Sequence, residues 1–450
     1  MNSHQATEQT ERRTGGARPA LLSAVLTAAA ALVLLWAAAG ASALVVQLPT
    51  RKISYQPVPG RTVTPLAKAR GRRNSGKGAN PNANSSLLLY HEGGQVMPAN
   101  TNYALYWAPG GSSEYPAGYQ AGIDRYFEDL AHDSGGLLNT DSVLAQYYGP
   151  AGHYADYSAH FGGALVDTDP YPANGCSSAP ICLTDAQIRV EIRSFVEAHK
   201  LPIDLEHAYF LLTPPGVESC TEAAGKSCSA GSSHRVYCAY HDFIEVGAAA
   251  LIYAHDPYVV GDGCDVGEEH PNGNASDATI AGGLAHEHSE AVTDPKLNAW
   301  YDTKGNEVAD KCQTANAKTE YGPPLGQTAG GSNYNELIDG DPYLYQQMWS
   351  NATGACEQRT EQIPTVTKLS PKSGSPAGGS TVTITGTAFT SPATVQFGSA
   401  SATDVVVDSS TSITAVAPAG TPKTAVQVTV TTSAGTSAIT KKTRFKYKAH

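Results

Sequence analysis

The eight cysteines of this 450-residue chain all fall in one segment, and this constrains the fold more than any other feature. They are Cys176, Cys182, Cys220, Cys228, Cys238, Cys264, Cys312 and Cys356. An even number of cysteines clustered in one region indicates disulfide bonds in an exported domain. Cys176 and Cys182 can close a short loop, Cys312 can pair with Cys356, and the other pairings stay open. A structural zinc site is the alternative, but no C-x-x-C pair occurs.

The N-terminal sequence predicts export. An uncharged apolar run extends from Pro19 to Val46 and follows three arginines. Residues 1–46 are therefore a signal peptide cleaved after Ala43 or a signal-anchor retained in the membrane, and both place the body outside the cell. Residues 47–86 are rich in Pro, Gly and Asn and hold eight Lys and Arg without any acid, which predicts a basic disordered linker.

The rest of the chain carries the acidic excess, because the net charge is −11 despite this basic segment. An acidic surface excludes nucleic acid as a partner, since phosphate contacts need positive charge. The expected partners are an extracellular protein or peptide or a cell-wall polymer, and the membrane through the N-terminal segment if that segment is not cleaved.

Residues 87–360 predict an α/β or α+β main domain that contains the disulfides. The segments TNYALYWAP, HAYFLLTPP and AAALIYAH are typical of strands, and GYQAGIDRYFEDLAHDSG is typical of an amphipathic helix. A second helix is predicted to start at Thr184, because Gln187 three residues later completes a capping box.

A third predicted helix carries the candidate chemistry in the sequence HEHSE. Ser276 or Asp277 can cap its start, and Asp294-Pro295 stops it. On this helix His286 and Glu290 lie one turn apart on one face, with Glu287 beside them. This is the arrangement of an H-E-x-x-H zinc helix in which glutamate replaces the second histidine, and zinc accepts carboxylate oxygen as well as imidazole nitrogen.

The third ligand has to return from downstream, where Asp302, Glu307 and Asp310 are candidates. Asp294 is a poorer candidate, since it would lie about 12 Å from His286 along the helix axis. The sequence Asn306-Glu307 followed by Asp310 resembles the second helix of thermolysin-like enzymes, and this resemblance implies that Glu307 binds zinc and that Asp310 orients a ligand histidine.

These residues predict a zinc-dependent, metallopeptidase-like hydrolase. His286, Glu290 and Glu307 or Asp310 would hold zinc, Glu287 would be the general base, and His288 would assist as a proton donor. Two carboxylate ligands would lower the charge of the site and weaken its catalysis. The alternative is that the polar residues of HEHSE form a solvated helix face on a non-catalytic binding protein.

The loop before this helix is a possible calcium site. It contains seven polar candidates, which are His255, Asp256, Asp262, Asp265, Glu268, Glu269 and His270. Calcium prefers many oxygen ligands, but the D-x-D-x-D-G register of a dedicated calcium loop is missing.

Residues 364–447 contain no Cys or His, and short Thr- and Val-rich segments alternate with Gly, Pro and Ser turns. This pattern predicts an all-β sandwich. The sequences PTVTKLSPKSGSPAGGSTVTITGTAF and FKY resemble the IPT/TIG family of immunoglobulin-like modules, which implies a binding or spacer role.

The main domain resembles the phosphate-induced protein 1 (EXORDIUM-like) family. The resemblance is carried by YHEGGQVM with TNYALYW, by AVTDPKLNAWYD and by YNELIDGDPYLYQQMWSNATGAC. It implies an extracellular protein without an established enzymatic activity, but HEHSE stands where the plant members have no His-Glu pair. Two hypotheses follow, which are a hydrolase that retains a metal helix and a non-catalytic extracellular or cell-wall-associated adhesion protein.

Overall fold

A computed structural model describes residues 51–58 and 87–449, together with the backbone of strand 44–47, and leaves out 230, 262, 266–268, 314–320, 361–363, 390–391, 410 and 433–434. The strands up to residue 301 are β1 (Leu44–Gln47), β2 (Lys52–Pro57), β3 (Leu89–Tyr90), β4 (Asn100–Trp107), β5 (Ala159–Asp167), β6 (Ile181–Thr184), β7 (His207–Thr213), β8 (Val217–Cys220), β9 (Cys228–Ser229), β10 (Arg235–Val246), β11 (Ala249–Pro257) and β12 (Trp300–Tyr301).

Ten of these strands form the main sheet, and β3 pairs with β12 separately. The order is β5-β4-β7-β11-β10-β9-β8-β6, and β2, with β1 beside it, also pairs with β10. Strands β5, β4, β7 and β11 are parallel, whereas β10 is antiparallel to β11 and β2 is antiparallel to β10. The antiparallel strands therefore gather at one side of a parallel sheet.

The two faces of the sheet are covered by different helices, because successive side chains of a strand point to opposite faces. Helix α1 (Tyr119–His132) packs Ile123 and Phe127 into a cluster that includes Phe210 and Ile252. Helix α2 (Asp185–Ala198) packs on the other cluster, which takes the alternate residues of the same strands. The predicted capping box of Thr184 and Gln187 begins α2.

The HEHSE segment lies on the same face as α1. It runs without a break through α3 (Ser276–Thr279), a π-helical turn (Ile280–Leu284) and α4 (Ala285–Thr293). The end at Thr293 agrees with the predicted stop. The predicted caps are wrong, because Ser276 and Asp277 lie inside the first turn and the carboxylate of Asp277 accepts hydrogen bonds from the backbone of Asn272 and Asn274.

Two glycines of the π-helical turn let this helix approach the sheet and the preceding loop. A Cβ atom on Gly282 would lie 2.4 Å from the backbone oxygen of Cys264, and one on Gly283 would lie 2.7 Å from the Cβ of Ala239 in β10. The close contact with β10 places the next two turns of the helix directly against that strand.

The remainder of the main domain consists of short hairpins. Their strands are β13 (Gly326–Gln327), β14 (Asn333–Tyr334), β15 (Glu336–Ile338), β16 (Asp341–Tyr343), β17 (Met348–Ser350) and β18 (Ala355–Glu357). Four disulfides tie the domain together, and they are Cys176–Cys182, Cys220–Cys228, Cys238–Cys264 and Cys312–Cys356. The prediction of disulfides is confirmed, including the two specific pairs suggested by the sequence.

The C-terminal segment is a β-sandwich. Its strands are β19 (Thr365–Ser370), β20 (Ser373–Gly374), β21 (Thr381–Thr387), β22 (Thr394–Phe397), β23 (Ala400–Ser401), β24 (Thr403–Ser409), β25 (Ser412–Val416), β26 (Ala425–Thr432), β27 (Gly435–Thr436) and β28 (Arg444–Tyr447). Alternate strand residues such as Ile384, Phe397 and Val428 form its buried core, which confirms the predicted all-β sandwich.

The described chain is mostly β with few helices, and the finer α/β or α+β class of the main domain stays a prediction. The predicted disordered linker is wrong for 51–58, because Lys52–Pro57 is a strand whose last five residues are buried. The predicted signal peptide or anchor lies outside the described residues except for its end in β1. Among the described helices, none is both long and apolar enough to cross a bilayer.

Glu336 makes the stability of the fold depend on pH. Its carboxyl group is fully buried beside Thr140, and burial raises its pKa to about 8. Between the ordinary pKa of about 4.3 and 8, the folded state keeps a proton that the unfolded state loses. The free energy of unfolding therefore falls as pH rises, by at most about 1.4 kcal/mol per pH unit.

We expect the free energy of unfolding in urea to fall less from pH 5 to 8 for Glu336→Gln than for the wild type. Glu206→Gln, at an exposed position, is the control, and an unchanged slope in Glu336→Gln would contradict the assignment.

Candidate metal site

Three elements bring the candidate residues together. Helix α4 supplies His286, Glu287 and Glu290, and it ends where Asp294 turns the chain by accepting hydrogen bonds from the backbone of Asn298 and Ala299. The chain then returns through a 3-10 turn at Asp310–Cys312. The Cys312–Cys356 disulfide holds this turn to β18, so Asp310 is fixed opposite the helix.

The imidazole of His286 meets two carboxylates. Its Nε2 atom lies 3.2 Å from Glu290 Oε1 and 3.3 Å from Asp310 Oδ1, and the three ligand atoms lie within 4.8 Å of one another. Within the described chain, neither Nε2 nor Asp310 Oδ1 forms a hydrogen bond of acceptable geometry. The three atoms therefore converge on a common point.

The other side of the imidazole is held in a fixed orientation. His286 Nδ1 donates a hydrogen bond to Gln346 Oε1 at 2.9 Å, and Gln346 Nε2 donates to the backbone oxygen of Ala309 at 2.6 Å. Because Nδ1 carries the donated proton, a neutral His286 presents the lone pair of Nε2 to Glu290 and Asp310. This is the outer-shell arrangement that orients histidine ligands in metal sites.

Glu287 lies beside this group and faces β10 and β2. Its Oε2 atom pairs with His241 Nδ1 at 3.0 Å, and its Oε1 atom accepts a hydrogen bond from the backbone N–H of Gln56 at 3.0 Å. His241 Nε2 points towards Glu307 and lies 3.9 Å from its Oε1 atom. Glu287 is thus held by a neighbouring histidine on one oxygen and by a backbone donor on the other.

The two downstream acids, Glu307 and Asp310, lie on different sides of the site. Asp310 joins His286 and Glu290, and its Oδ2 atom accepts the backbone N–H of Glu307. Glu307 instead lies on the His241 side and is not part of the His286 group. The second helix implied by the thermolysin-like resemblance is wrong, because only a short 3-10 turn forms there.

The electrostatics of the site are dominated by buried acid. Glu287, Glu290, Glu307 and Asp310 are at most 1% exposed, as are His241 and His286, and no described Lys or Arg forms an ion pair with them. Burial and the neighbouring Glu290 raise the pKa values of Glu307 and Asp310 well above the ordinary range. Burial also raises the pKa of Glu287, although His241 opposes it.

His286 and Glu290 behave as a charge pair. Burial favours the neutral imidazole, but the carboxylates of Glu290 and Asp310 raise the pKa of His286 well above its ordinary value. Burial likewise opposes ionisation of Glu290, yet His286 lowers its pKa to about 2. Without a cation, a proton on His286 therefore occupies the point at which the three ligand atoms converge.

His288 is wrongly assigned by the sequence as a proton donor to this site. It follows His286 by two residues, so it points to the opposite side of the helix. There its Nε2 atom lies 3.1 Å from Asn100 Oδ1, and the ring packs near Phe127 and Phe210. The solvated-face alternative is also wrong, because every residue from Ala285 to Thr293 is buried.

The remaining candidates lie elsewhere. Asp302 accepts hydrogen bonds from the backbone of Lys304 and Asn306 and closes a turn. In the loop proposed for calcium, the described side chains diverge: Asp265 pairs with His270, and Glu269 binds Asn333. Asp262 and Glu268 lie outside the described residues, and the described acids of this loop form no common ligand group.

Sequence reasoning missed His241 and Gln346, and it assigned Asp256 to the calcium loop, whereas Asp256 lies in β11. Asp256, at the end of β11, is buried next to the helix with both carboxylate oxygens unpaired among the described atoms, and burial with the nearby Glu287 raises its pKa well above normal. None of the three belongs to a motif. Only the alternation of β10 and β11 could have shown which strand residues face the helix.

The donor set fits a divalent cation such as zinc. Two ligand atoms about 2.1 Å from a tetrahedral zinc ion lie about 3.4 Å apart. The spacings from His286 Nε2 to Glu290 and Asp310 are close to this value. Buried charges in proteins are paired or coordinate metals, and this group contains more acid than histidine can neutralise.

The comparison with protein families identifies a domain in the C-terminal segment. The IPT/TIG domain model matches residues 364–447. Residues 364–447 form a TIG domain. The resemblance of the main domain to the phosphate-induced protein 1 family stays a prediction, and no curated protein matches the chain.

Several solved structures share local similarity with the chain. The TIG domain of human nuclear factor of activated T-cells, cytoplasmic 4, is 23% identical, with 19% of this chain and 89% of that chain covered and a TM-score of 0.16. SGBP-B of a xyloglucan utilization locus in Bacteroides uniformis is 23% identical over 21% of this chain and 25% of its own, with a TM-score of 0.17. An auxiliary nutrient-binding protein of Bacteroides ovatus is 22% identical over 20% and 21%, with a TM-score of 0.16. The chain thus spans a quarter or less of these two Bacteroides proteins.

The site geometry predicts which acid controls metal affinity. We expect equilibrium dialysis to find one zinc ion per wild-type chain and Asp310→Asn to weaken binding at least about tenfold, because a charged ligand is lost. Asp302→Asn is the matched control and should bind zinc like the wild type. Equal zinc affinities of Asp310→Asn and the wild type would show that the ion, if bound, lies elsewhere.

Proposed function

We propose that the main domain is a zinc-dependent hydrolase that cleaves peptide bonds. The observation that supports this function best is the convergence of His286 Nε2, Glu290 Oε1 and Asp310 Oδ1 on one buried point, with the carboxylate of Glu287 beside it. A nucleophile, a base and a charge-stabilising group are the minimum needed for hydrolysis, and this arrangement offers a position for each.

His286, Glu290 and Asp310 would hold the metal, and Gln346 would keep the imidazole in its ligand orientation. When bound, zinc supplies a Lewis acid that polarises a carbonyl group and makes water a better nucleophile. Two carboxylate ligands donate more negative charge than two histidines would, so we expect this effect to be weaker than in a two-histidine site.

Glu287 is the proposed general base. It neighbours the ligand group without belonging to it, and burial raises its pKa above the ordinary value, which makes the carboxylate a stronger base. His241 positions this carboxylate through its Nδ1 atom. His241 Nε2 points towards Glu307 Oε1 at 3.9 Å and lacks a hydrogen-bond partner among the described groups.

We also propose an extracellular location. Four disulfides without any free cysteine are typical of proteins that fold in an oxidising compartment. The TIG domain is compatible with an extracellular binding module and would act as a spacer or bind a wall polymer or protein.

A non-catalytic binding protein is the second candidate function, and the TIG domain favours it. In such a protein the buried acids would serve as a metal-stabilised scaffold. The two functions differ in what they require of Glu287, because a scaffold has no need of a base.

The substitution Glu287→Gln separates the two functions. Hydrolysis of a quenched fluorescent peptide library is measured on the intact chain and on a chain cut at a specific protease sequence inserted after Gly78. The cut form is included because the site is buried beneath β2, and the cut separates β2 from the rest of the main domain. We expect Glu287→Gln to lose about 10²- to 10⁴-fold in activity, the usual contribution of a general base, while still binding zinc.

Glu197→Gln, on the exposed surface of α2, is the control and should keep wild-type activity. Zinc-loaded protein that hydrolyses no peptide in either form would contradict the hydrolase and leave the binding protein, whereas activity that survives Glu287→Gln would contradict Glu287 as the general base.

A further inference from the structure

We propose that strand β2, with the flanking Arg51 and Val58, occupies the substrate groove of the site as an internal blocking segment, and that the groove accepts a polypeptide in extended conformation. The identification of this groove as a substrate groove rests on the proposed function. That an extended chain can exchange with β2 at this position is inferred from the contacts of β2 alone.

The backbone of β2 is bound as an added strand. It runs antiparallel to β10, with Tyr55 opposite Tyr240 and Ser54 opposite His241, and Val58 N donates a hydrogen bond to Val236 O at 2.7 Å. No element of the chain links β2 to β10 directly, because the two are separated by almost two hundred positions in the sequence. Main-chain pairing of this kind is how extended peptides add to the edge of a sheet.

The side chains of β2 alternate between the core and the site. Ile53 and Tyr55 pack into the cluster beneath α2. Ser54 and Gln56 lie on the opposite face, where Ser54 Oγ donates to Glu290 Oε2 at 3.4 Å and Gln56 N donates to Glu287 Oε1 at 3.0 Å. The segment therefore contacts both the proposed base and a proposed metal ligand.

These contacts close the site. Ser54 and Gln56 are themselves at most 2% exposed, and the six ionisable side chains beneath them are at most 1% exposed. A polypeptide substrate can reach Glu287 only if it replaces β2, because both would use the same edge of β10. Strand β2 therefore blocks the site, and its own contacts indicate which peptide sequences bind in its place.

The ends of the segment are fastened by separate interactions. Arg51 forms ion pairs with Asp185 and Asp242, and Lys52 Nζ donates to Leu297 O at 3.1 Å. Val58 packs with Cys238 and Cys264, whose disulfide joins β10 to the loop before α3. From these contacts we expect two basic residues, followed by alternate apolar and polar residues, to bind best.

The sequence supplies a means of release. Residues 59–86 connect the segment to the domain and contain Arg61, Lys68, Arg70, Arg72, Arg73 and Lys77, which are cleavage points for proteases that cut after basic residues. A cut there would leave β2 held by its non-covalent contacts alone. Exchange for another chain then becomes possible.

The test uses the full chain with a specific protease sequence inserted after Gly78, before and after cutting. A fluorescent peptide with the sequence of residues 44–58 is added, and its incorporation is followed by fluorescence anisotropy. We expect incorporation into the cut protein and none into the intact chain.

A peptide methylated on the backbone nitrogen of Gln56 should compete at least tenfold less well than the unmodified peptide, because it cannot donate to Glu287. A Gln56→Ala peptide keeps this donor and should outcompete the methylated one.

Hydrogen exchange of the β10 amides in the same samples gives a second measurement. Faster exchange at 237–241 after cutting, reversed by excess peptide, supports the inference. Failure of the peptide to enter the cut protein, with the β10 amides as protected as before, would overturn it and make β2 a permanent strand. Neither readout requires catalysis, so entry of the peptide into a cut, zinc-loaded protein that hydrolyses no member of the peptide library would contradict the proposed hydrolase while the groove for an extended chain still stands.

Discussion

The enclosure of several carboxyl groups between α4 and β10 is the constraint on which the rest of the site depends. Glu287, Glu290, Glu307 and Asp310 are buried with two imidazoles, and no Lys or Arg in the described chain pairs with them. Burying unpaired negative charge is costly, so each acid must be protonated, paired with a histidine or neutralised by a cation. The raised pKa values of Glu307 and Asp310 favour their protonated forms, and the lowered pKa of Glu290 favours a carboxylate that is paired with His286. A divalent cation would replace the proton on His286 and stabilise the ionised carboxylates, which makes metal binding and folding thermodynamically linked.

The fold supports this arrangement through elements that are distant in sequence. Close packing at Gly282 and Gly283 brings the helix against β10, so that His241 reaches Glu287. The turn at Asp294 sends the chain back, and the Cys312–Cys356 disulfide ties the returning segment to the end of the domain. The Cys238–Cys264 disulfide holds β10 to the loop that precedes the helix. Two of the four disulfides thus fasten the two sides of the candidate site, and β2 fills the space between the site and solvent.

The local signals in the sequence predicted much of the fold. The capping box at Thr184, the stop at Asp294-Pro295 and the Thr- and Val-rich segments between turns in the TIG domain each depend on neighbouring residues, and the structure agrees with them. The sequence could not distinguish Asp310 from Glu307, because the choice depends on the direction of a 3-10 turn. It could not place His241 either, since that residue reaches the site only through the order of strands in the sheet. The alternation in Ile53-Ser54-Tyr55-Gln56 was a strand signal, but the basic composition around it predicted a linker. The catalytic assignment of His288 failed for a simple geometric reason, because a residue two positions from His286 points to the other side of a helix.

The central claim is that one metal ion is held by one imidazole and two carboxylates. X-ray absorption at the zinc edge on zinc-loaded protein measures this ligand set directly. The account predicts a single imidazole with oxygen ligands at about 2.0–2.2 Å, and loss of the imidazole signal in His286→Ala. A sulfur ligand, two or more imidazoles, or an all-oxygen shell that is the same in wild type and His286→Ala would contradict it.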